Sequence, residues 1–214
     1  AVVSLSTAFA VYTTTQRQVT ENFRRRVLTA VAITALHQNG DEFEKITSAA
    51  DPLYEEFRLK NLQILRSDPD FIFVYTMRKD AQGIYFVVDG NEFDAEGFSA
   101  YGERYLEPSP LLLENFDMLA SPIAEAEIYT DEFGSFLSAY APIITSDGRQ
   151  VGVVGVDIAA DAILQEQRQI ILQSATIFLI VFAIGTILGN LAGNTLARPV
   201  AELAQGALAF KAGK

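Results

Sequence analysis

The sequence predicts an α+β domain built on an antiparallel sheet, with a long N-terminal helix and flanking transmembrane helices. Three observations carry this. Two helix-period stretches precede two β-rich hairpin patterns, and no strand–helix–strand alternation marks a parallel sheet. From Gln169 to Ala197, 29 consecutive positions hold no charged residue. At 214 residues the chain has room for one domain of about 150 residues plus extra segments.

Taken in order, residues 1–12 are nearly all apolar or small, too short a run to span a bilayer. With no initial Met and no clear small-residue cleavage pattern, they read as the distal half of a first membrane helix in a longer chain. A polar helix continues from there. Its stripe Val19, Phe23, Val27, Ala30 and Thr34 keeps to one narrow face, as for a helix pairing with one neighbour. Asn39-Gly40 can end this helix and Asp41 can cap the next turn. His37, in its last turn, suits the helix dipole and reads as a capping or surface residue. A second helix is predicted from Asp51 to Leu65, stopped by Asp68-Pro69.

Phe71 to Met77 and Gly83 to Val88, rich in β-branched and aromatic residues, form a predicted hairpin. Residues 89–127 read as irregular, with one helix opening at Ser109-Pro110. A second hairpin joins Gly134–Thr145 to Gln150–Ile158 through Asp147-Gly148. The charge-free run then exceeds the roughly 20 residues that cross a hydrocarbon core. Within it Gly185, Gly189 and Gly193 recur at the small-xxx-small spacing of packed membrane helices.

Composition removes several function classes. A net charge of −11 argues against nucleic-acid binding. No Cys is present, so disulfides and thiolate metal sites are excluded, and the single His leaves no multi-histidine metal site. No metal and no cofactor is expected. Charge also sets orientation. Residues 1–168 carry 13 basic and 26 acidic side chains, and residues 169–214 carry 3 and 1. The positive flank belongs in the cytoplasm and the acidic domain outside. Arg24, Arg25 and Arg26 oppose this, but they begin about 18 Å of helix beyond Tyr12.

The element order, together with Val74-Tyr75-Thr76, Tyr85-Phe86-Val87-Val88-Asp89, Gly102-Glu103-Arg104-Tyr105, Ser138-Ala139-Tyr140-Ala141-Pro142-Ile143 and Gly152-Val153-Val154-Gly155-Val156-Asp157-Ile158, resembles the Cache family. These are PAS-like sensor domains held outside the membrane between two spans of bacterial receptors. After the span, Arg198-Pro199-Val200 and the seam Val200, Leu203, Ala207, Phe210 resemble the first helix of a HAMP linker. The resemblances imply a sensor domain over 13–168, a second span over 169–197 and a HAMP-like helix over 198–214. They also imply a homodimeric receptor in the bacterial inner membrane that binds a small molecule. Its output domain, a histidine kinase, chemoreceptor, cyclase or phosphatase, lies beyond this sequence.

Family domains hold ligand between the sheet and the segment after the first hairpin. Counting along the strands puts Tyr85, Val87 and Asp89 on one face, and Val151, Val153, Gly155 and Asp157 on one face of theirs. Asp157 stands in an otherwise apolar run and needs a partner: a cation, an amine, a hydroxyl or backbone N–H groups. In Cache sensors the matching Asp often contacts ligand; the alternative is that it caps an exit helix starting at Ile158. Asp89 reads as either a pocket or a turn residue. Tyr75, Tyr85, Tyr105, Tyr129 and Tyr140 offer either pocket walls with hydroxyl handles or ordinary core. The amino-acid-recognising Cache branch uses an Arg and a Trp before its aromatic pair; Ile84-Tyr85-Phe86 has neither, which argues against an α-amino acid ligand. Residues 89–96 carry four acids but fail the EF-hand template, with Phe93 at an oxygen-ligand position and Asp94 where Gly is required. They read as a solvated acidic loop. The expected ligand-binding set is therefore Tyr75, Tyr85, Asp89, Tyr105, Tyr140 and Asp157. Two rivals stand: an exported hydrolase using paired carboxylates such as Asp89 and Asp157, and a ligand-free dimerisation stalk.

Overall fold

The computed structural model describes residues 2–93, 95, 97–193 and 195, of which 2–11 and 192 are described by backbone alone. The HAMP-like helix expected over 198–214 lies outside the described residues, as do the side chains of the apolar run at the start.

Helix α1 runs from Val2 to His37 without interruption. A four-residue helix α2 (Gly40–Phe43) follows at once, and its cap is Asn39, not Asp41. The Asn39 side chain accepts from the backbone N–H groups of Asp41 and Glu42, satisfying donors a helix start leaves open. Gly40 is required by a close approach. A Cβ there would sit 2.4 Å from the carbonyl carbon and oxygen of Ile144, and backbone cannot give way. Helix α3 (Pro52–Leu65) starts as its sequence dictates, with Pro52 in the first turn and Asp51 accepting from Leu53 N–H at 3.0 Å.

The hairpins form at the expected positions as β1 (Phe71–Asp80) with β2 (Gly83–Asp89), and β5 (Gly134–Ile144) with β6 (Gln150–Ala159). Helix α4 (Pro110–Asn115) is capped by Ser109, whose hydroxyl accepts from Leu112 N–H at 3.1 Å. Two short strands went unforeseen: β3 (Ile123–Ala124) and β4 (Tyr129–Asp131), both antiparallel to β5. The sheet order is β2-β1-β6-β5-β3, antiparallel throughout. The two hairpins therefore meet through β1 and β6, and β6 is the central strand.

One face of the sheet packs under α1 and α3. Val19, Phe23, Val27, Ala30 and Thr34 are all buried there, with Phe23 2% exposed and Val27 fully covered. This corrects the reading of that stripe as the face of a helix pairing with one neighbouring helix, and with it any use of the stripe to pair two copies: its neighbour is the chain's own β5 and β6. A narrow apolar stripe fits a flat sheet as well as a single helix, because either covers about one helical face. The opposite face carries a cluster of Tyr75, Met77, Ile84, Phe86, Tyr105, Leu112, Phe116, Leu119, Tyr140 and Val153, roofed by the segment that contains α4.

Helix α5 (Ala160–Ala192) begins at the residue after β6 ends. Its Ala160–Leu191 portion contains an 18-residue window of mean hydropathy 2.3 and is long and apolar enough to cross a membrane. The chain divides into two compact units between Gln167 and Arg168.

Candidate functional site

The site grows out of strand register. Across four strands, Asp89 lies opposite Tyr75, Tyr75 opposite Gly155, and Gly155 opposite Tyr140. One step along, Phe73 lies opposite Asp157 and Asp157 opposite Ser138. Directly opposed residues of antiparallel strands share a face. Both rows therefore point at the same roof.

Asp89 joins the row because β2 departs from strict alternation. Met77 pairs with Phe86 and Thr76 with Val88, leaving Val87 as an extra, unpaired residue. This β-bulge turns the strand by one position. Phe86 and Asp89, three residues apart, consequently line the same cavity. The alternation expected for Tyr85, Val87 and Asp89 fails here. Tyr85 lies off the cavity, bridged to Arg104 with the guanidinium 5.1 Å above its ring.

Gly155 supplies space. A Cβ at that position would lie 2.5 Å from Cε2 and 2.9 Å from the hydroxyl of Tyr75, so the ring occupies the volume a side chain would fill. From there the Tyr75 hydroxyl donates to Asp157 Oδ1 at 3.3 Å. Phe73 meets Phe136 edge-on at 5.5 Å, and Phe86 meets Phe133 edge-on at 5.7 Å.

Together these residues enclose a cavity of about 10 Å³, room for one water. Its walls are the rings of Phe73, Tyr75, Phe86, Tyr105, Phe133 and Phe136, with Gly97 and Ser99 at one side. The acids Asp89, Asp131 and Asp157 complete it, and no basic side chain lines it among the described residues. Tyr75, Asp89, Tyr105 and Asp157 of the expected set thus come together. Tyr140 is fully buried beside them in the cluster of that face, and Tyr129 donates to the Glu107 carbonyl at 3.1 Å instead. Asp157 does not cap α5, since β6 continues two residues past it.

The three acids are not equivalent. Asp89 accepts from the backbone N–H of Asn91 at 2.8 Å and of Ser99 at 2.9 Å, one on each oxygen. Burial nonetheless pushes its pKa up to about 6, against the pull of those two bonds. Asp89 is therefore both a turn residue and a cavity wall. Asp157 has weaker support. Burial pushes it up to about 7, opposed by the hydroxyls of Ser138 and Tyr75 and assisted by the charges of Asp131 and Asp89. Asp131 accepts from the Tyr105 hydroxyl. Burial, and next the Asp157 charge, raise the pKa of Tyr75 and Tyr140. For Tyr140 the nearby Ser109 and Ser138 hydroxyls oppose that rise, yet no partner comes within bonding distance of its hydroxyl.

A paired-carboxylate hydrolase finds little support in this geometry. Both Asp89 oxygens are held by backbone, which leaves that residue poorly placed as a second acid or base. Among the described residues no group of three or more His, Asp or Glu is arranged to hold a metal ion.

No protein-family model and no curated protein matches this chain. Among solved structures, it is similar to the ligand-binding domain of the Campylobacter jejuni chemoreceptor Tlp3 in complex with L-valine, with 14% identity, a TM-score of 0.45, and coverage of 75% of this chain and 62% of that one. The E. coli DcuS sensor domain is similar at 16% identity and TM-score 0.44, over 71% of this chain and 98% of that one. The ligand-binding domain of the Pseudomonas fluorescens chemoreceptor CtaA in complex with L-alanine is similar at 18% identity and TM-score 0.41, over 70% of this chain and 57% of that one. The chain thus spans about three fifths of the length of those two chemoreceptor domains.

Proposed function

We propose that residues 13–168 are the extracytoplasmic, ligand-binding sensor region of a bacterial membrane receptor. In this reading residues 1–12 and 169–197 belong to its two membrane helices in the inner membrane, and residues 198–214 open a HAMP-like linker. The receptor is a homodimer, paired by surfaces other than the Phe23 stripe. This region binds without catalysing, and the output belongs to a cytoplasmic domain.

One observation carries the reading. The underpartnered acid of an aromatic cavity, Asp157, sits on the central strand two residues before that strand ends, and the long apolar helix starts at the next residue. A ligand that prefers a different setting of β6 would move the start of α5 with no intervening loop to absorb the shift. Such a signal requires differential affinity for two states, not affinity alone. The cavity's present size means that any ligand larger than water must select a more open state.

Two measurements test this. A compound from a panel of small acids, amines, sugars and metal salts is expected to raise the melting midpoint of the full chain in detergent, with no product formed. A panel without effect, or turnover of any compound, overturns the sensory reading. Topology is tested by single cysteines, clean here because the chain has none of its own. Ser99 is buried, so the exposed Met118 is the better outer position. Met118→Cys should react with a membrane-impermeant thiol reagent on intact cells and Ala212→Cys should not; the reverse pattern overturns the orientation.

A further inference from the structure

We propose that the gap where β1 and β6 part, at the end of the sheet away from Asp157, binds a small oxyanion, the carboxylate or phosphate group of a ligand. This goes beyond the sensory reading and does not depend on it.

Strand register opens the space. The β1–β6 ladder ends where Met77 lies opposite Val153. Beyond that point β1 runs on to Asp80 paired with β2 alone, and the first residues of β6 are paired with β5 alone. A continued register would set Arg78 opposite Gly152 and Lys79 opposite Val151. The strands separate instead. Val151 is an extra residue here, because Gly152 lies opposite Ile143 and Gln150 opposite Ile144. Peptide groups that a longer ladder would have paired are left along the gap. The cleft so formed holds about 180 Å³, against about 10 Å³ beside Asp157. Val151 and Asp157 stand six residues apart on β6, about 20 Å of strand.

Cations reach the cleft from both faces of the sheet. On the α2 face the Arg78 guanidinium lies 4.5 Å above the Phe43 ring and donates to the carbonyls of Phe43 and, at 2.7 Å, Ile46. Carbonyl partners satisfy donors but leave the positive charge in place, and a guanidinium has five N–H groups to give. Arg78 forms no ion pair among the described residues. Glu44, a carboxylate near enough to feel its charge, is held by Arg149 at 3.0 Å. On the roof face Lys79 sits 6.0 Å from the centre of the Phe116 ring and pairs with Asp117. The Asp117 side chain is 67% exposed, and such a solvated pair is weak, so an oxyanion can take the ammonium from it.

The far wall is fixed in advance. The Gln150 amide donates to the Phe116 carbonyl at 2.6 Å and accepts from Leu119 N–H at 3.1 Å. It thereby ties the single turn Phe116–Met118 to the start of β6, so a ligand meets walls already in place. The charged side chains lining the cleft are two cations and one carboxylate, a positive balance on a chain of net charge −11. An oxyanion accepts several bonds at once and so suits a guanidinium fork, an ammonium and backbone N–H groups together. A ligand cation would meet Arg78 and Lys79 with Asp117 as its one carboxylate.

The test is calorimetric titration of the full chain in detergent with sodium phosphate and, separately, sodium acetate, in sodium chloride at constant ionic strength. At least one of the two is expected to bind saturably, and the one that binds names the group. Lys79→Met should weaken that binding about tenfold, the loss of one charge-assisted bond. Asp117→Asn should tighten it, because the competing carboxylate is gone. Asp157→Asn should leave it unchanged. A merely structural role for the Lys79–Asp117 pair would make both partner variants weaken binding alike, and that result overturns the proposal. So does the absence of saturable binding by either anion, or binding indifferent to Lys79→Met. Binding lost in Asp157→Asn but kept in Lys79→Met places the anion in the acidic cavity and overturns the proposal as well.

Discussion

Asp157→Asn is expected to raise the melting midpoint of the ligand-free chain by roughly 2–8 °C at about pH 8, and to leave it unchanged or lower at about pH 5. The sign follows from where the carboxyl titrates. In the unfolded chain it does so at about 3.9; in the fold, burial holds it at about 7. Below the lower value both states are protonated and nothing is lost. As pH rises between the two, the unfolded state releases its proton and the folded state does not, so stability falls. Above the higher value the full cost is present, on the order of 4 kcal/mol. Asn removes that cost but introduces amide hydrogens without assigned acceptors, returning about 1–3 kcal/mol of it. Circular-dichroism melts at the two pH values decide the matter. A midpoint that falls by the same amount at both would mean that Asp157 is ionised and well paired in the fold.

Gly155→Ala is expected to lower stability by about 1–3 kcal/mol and to abolish ligand response at the cavity. The added Cβ would stand 2.5 Å from Cε2 and 2.6 Å from Cζ of Tyr75, closer than packed carbons approach. Either the ring leaves, breaking its bond to Asp157, or β6 shifts away from β1. Gly155 has no left-handed backbone requirement, so strain in φ contributes nothing and the whole effect is one of space. Tyr75→Phe/Gly155→Ala should be no worse than Gly155→Ala for ligand response, because the hydroxyl is already displaced. An alanine variant that kept full response and wild-type stability would show that Tyr75 need not occupy this position.

Much of the architecture was visible in residue order. Ser109-Pro110 and Asp51-Pro52 announce helix starts by the same chemistry that forms them, a side-chain acceptor followed by a residue with no N–H to satisfy. Asp147-Gly148 announces the second hairpin, and Gly148 takes the positive φ of 86° that the turn asks for. The first helix's stripe was equally plain, but a stripe records that something covers it and not what. Its partner turned out to be the sheet of the same chain.

The candidate site was visible where it lies on regular strands and lost where it does not. Asp157 and Tyr75 come from strands whose alternation holds through these positions. Tyr85 was placed with Asp89 because a period of two carries no signal for a bulge. Asp131, Phe133 and Ser99 reach the cavity from turns and from the irregular segment, where side-chain direction has no period to count. Phe73, Phe86 and Phe136 carry no mark of a pocket in the sequence, since an aromatic facing a ligand space and one facing another ring have the same sequence signature.

The bulge at Val87 has a consequence for chain length. Phe86 and Val88 already pair with the consecutive residues Met77 and Thr76, so β2 holds one residue more than the ladder uses. A chain lacking Val87 could pair regularly and still bring Asp89 opposite Tyr75. Relatives one residue shorter in this strand would therefore keep the acid at the same place in space. An alignment that set its gap beyond Asp89 would match that acid to Val88, and a comparison of pocket residues made column by column would then miss the group it was looking for.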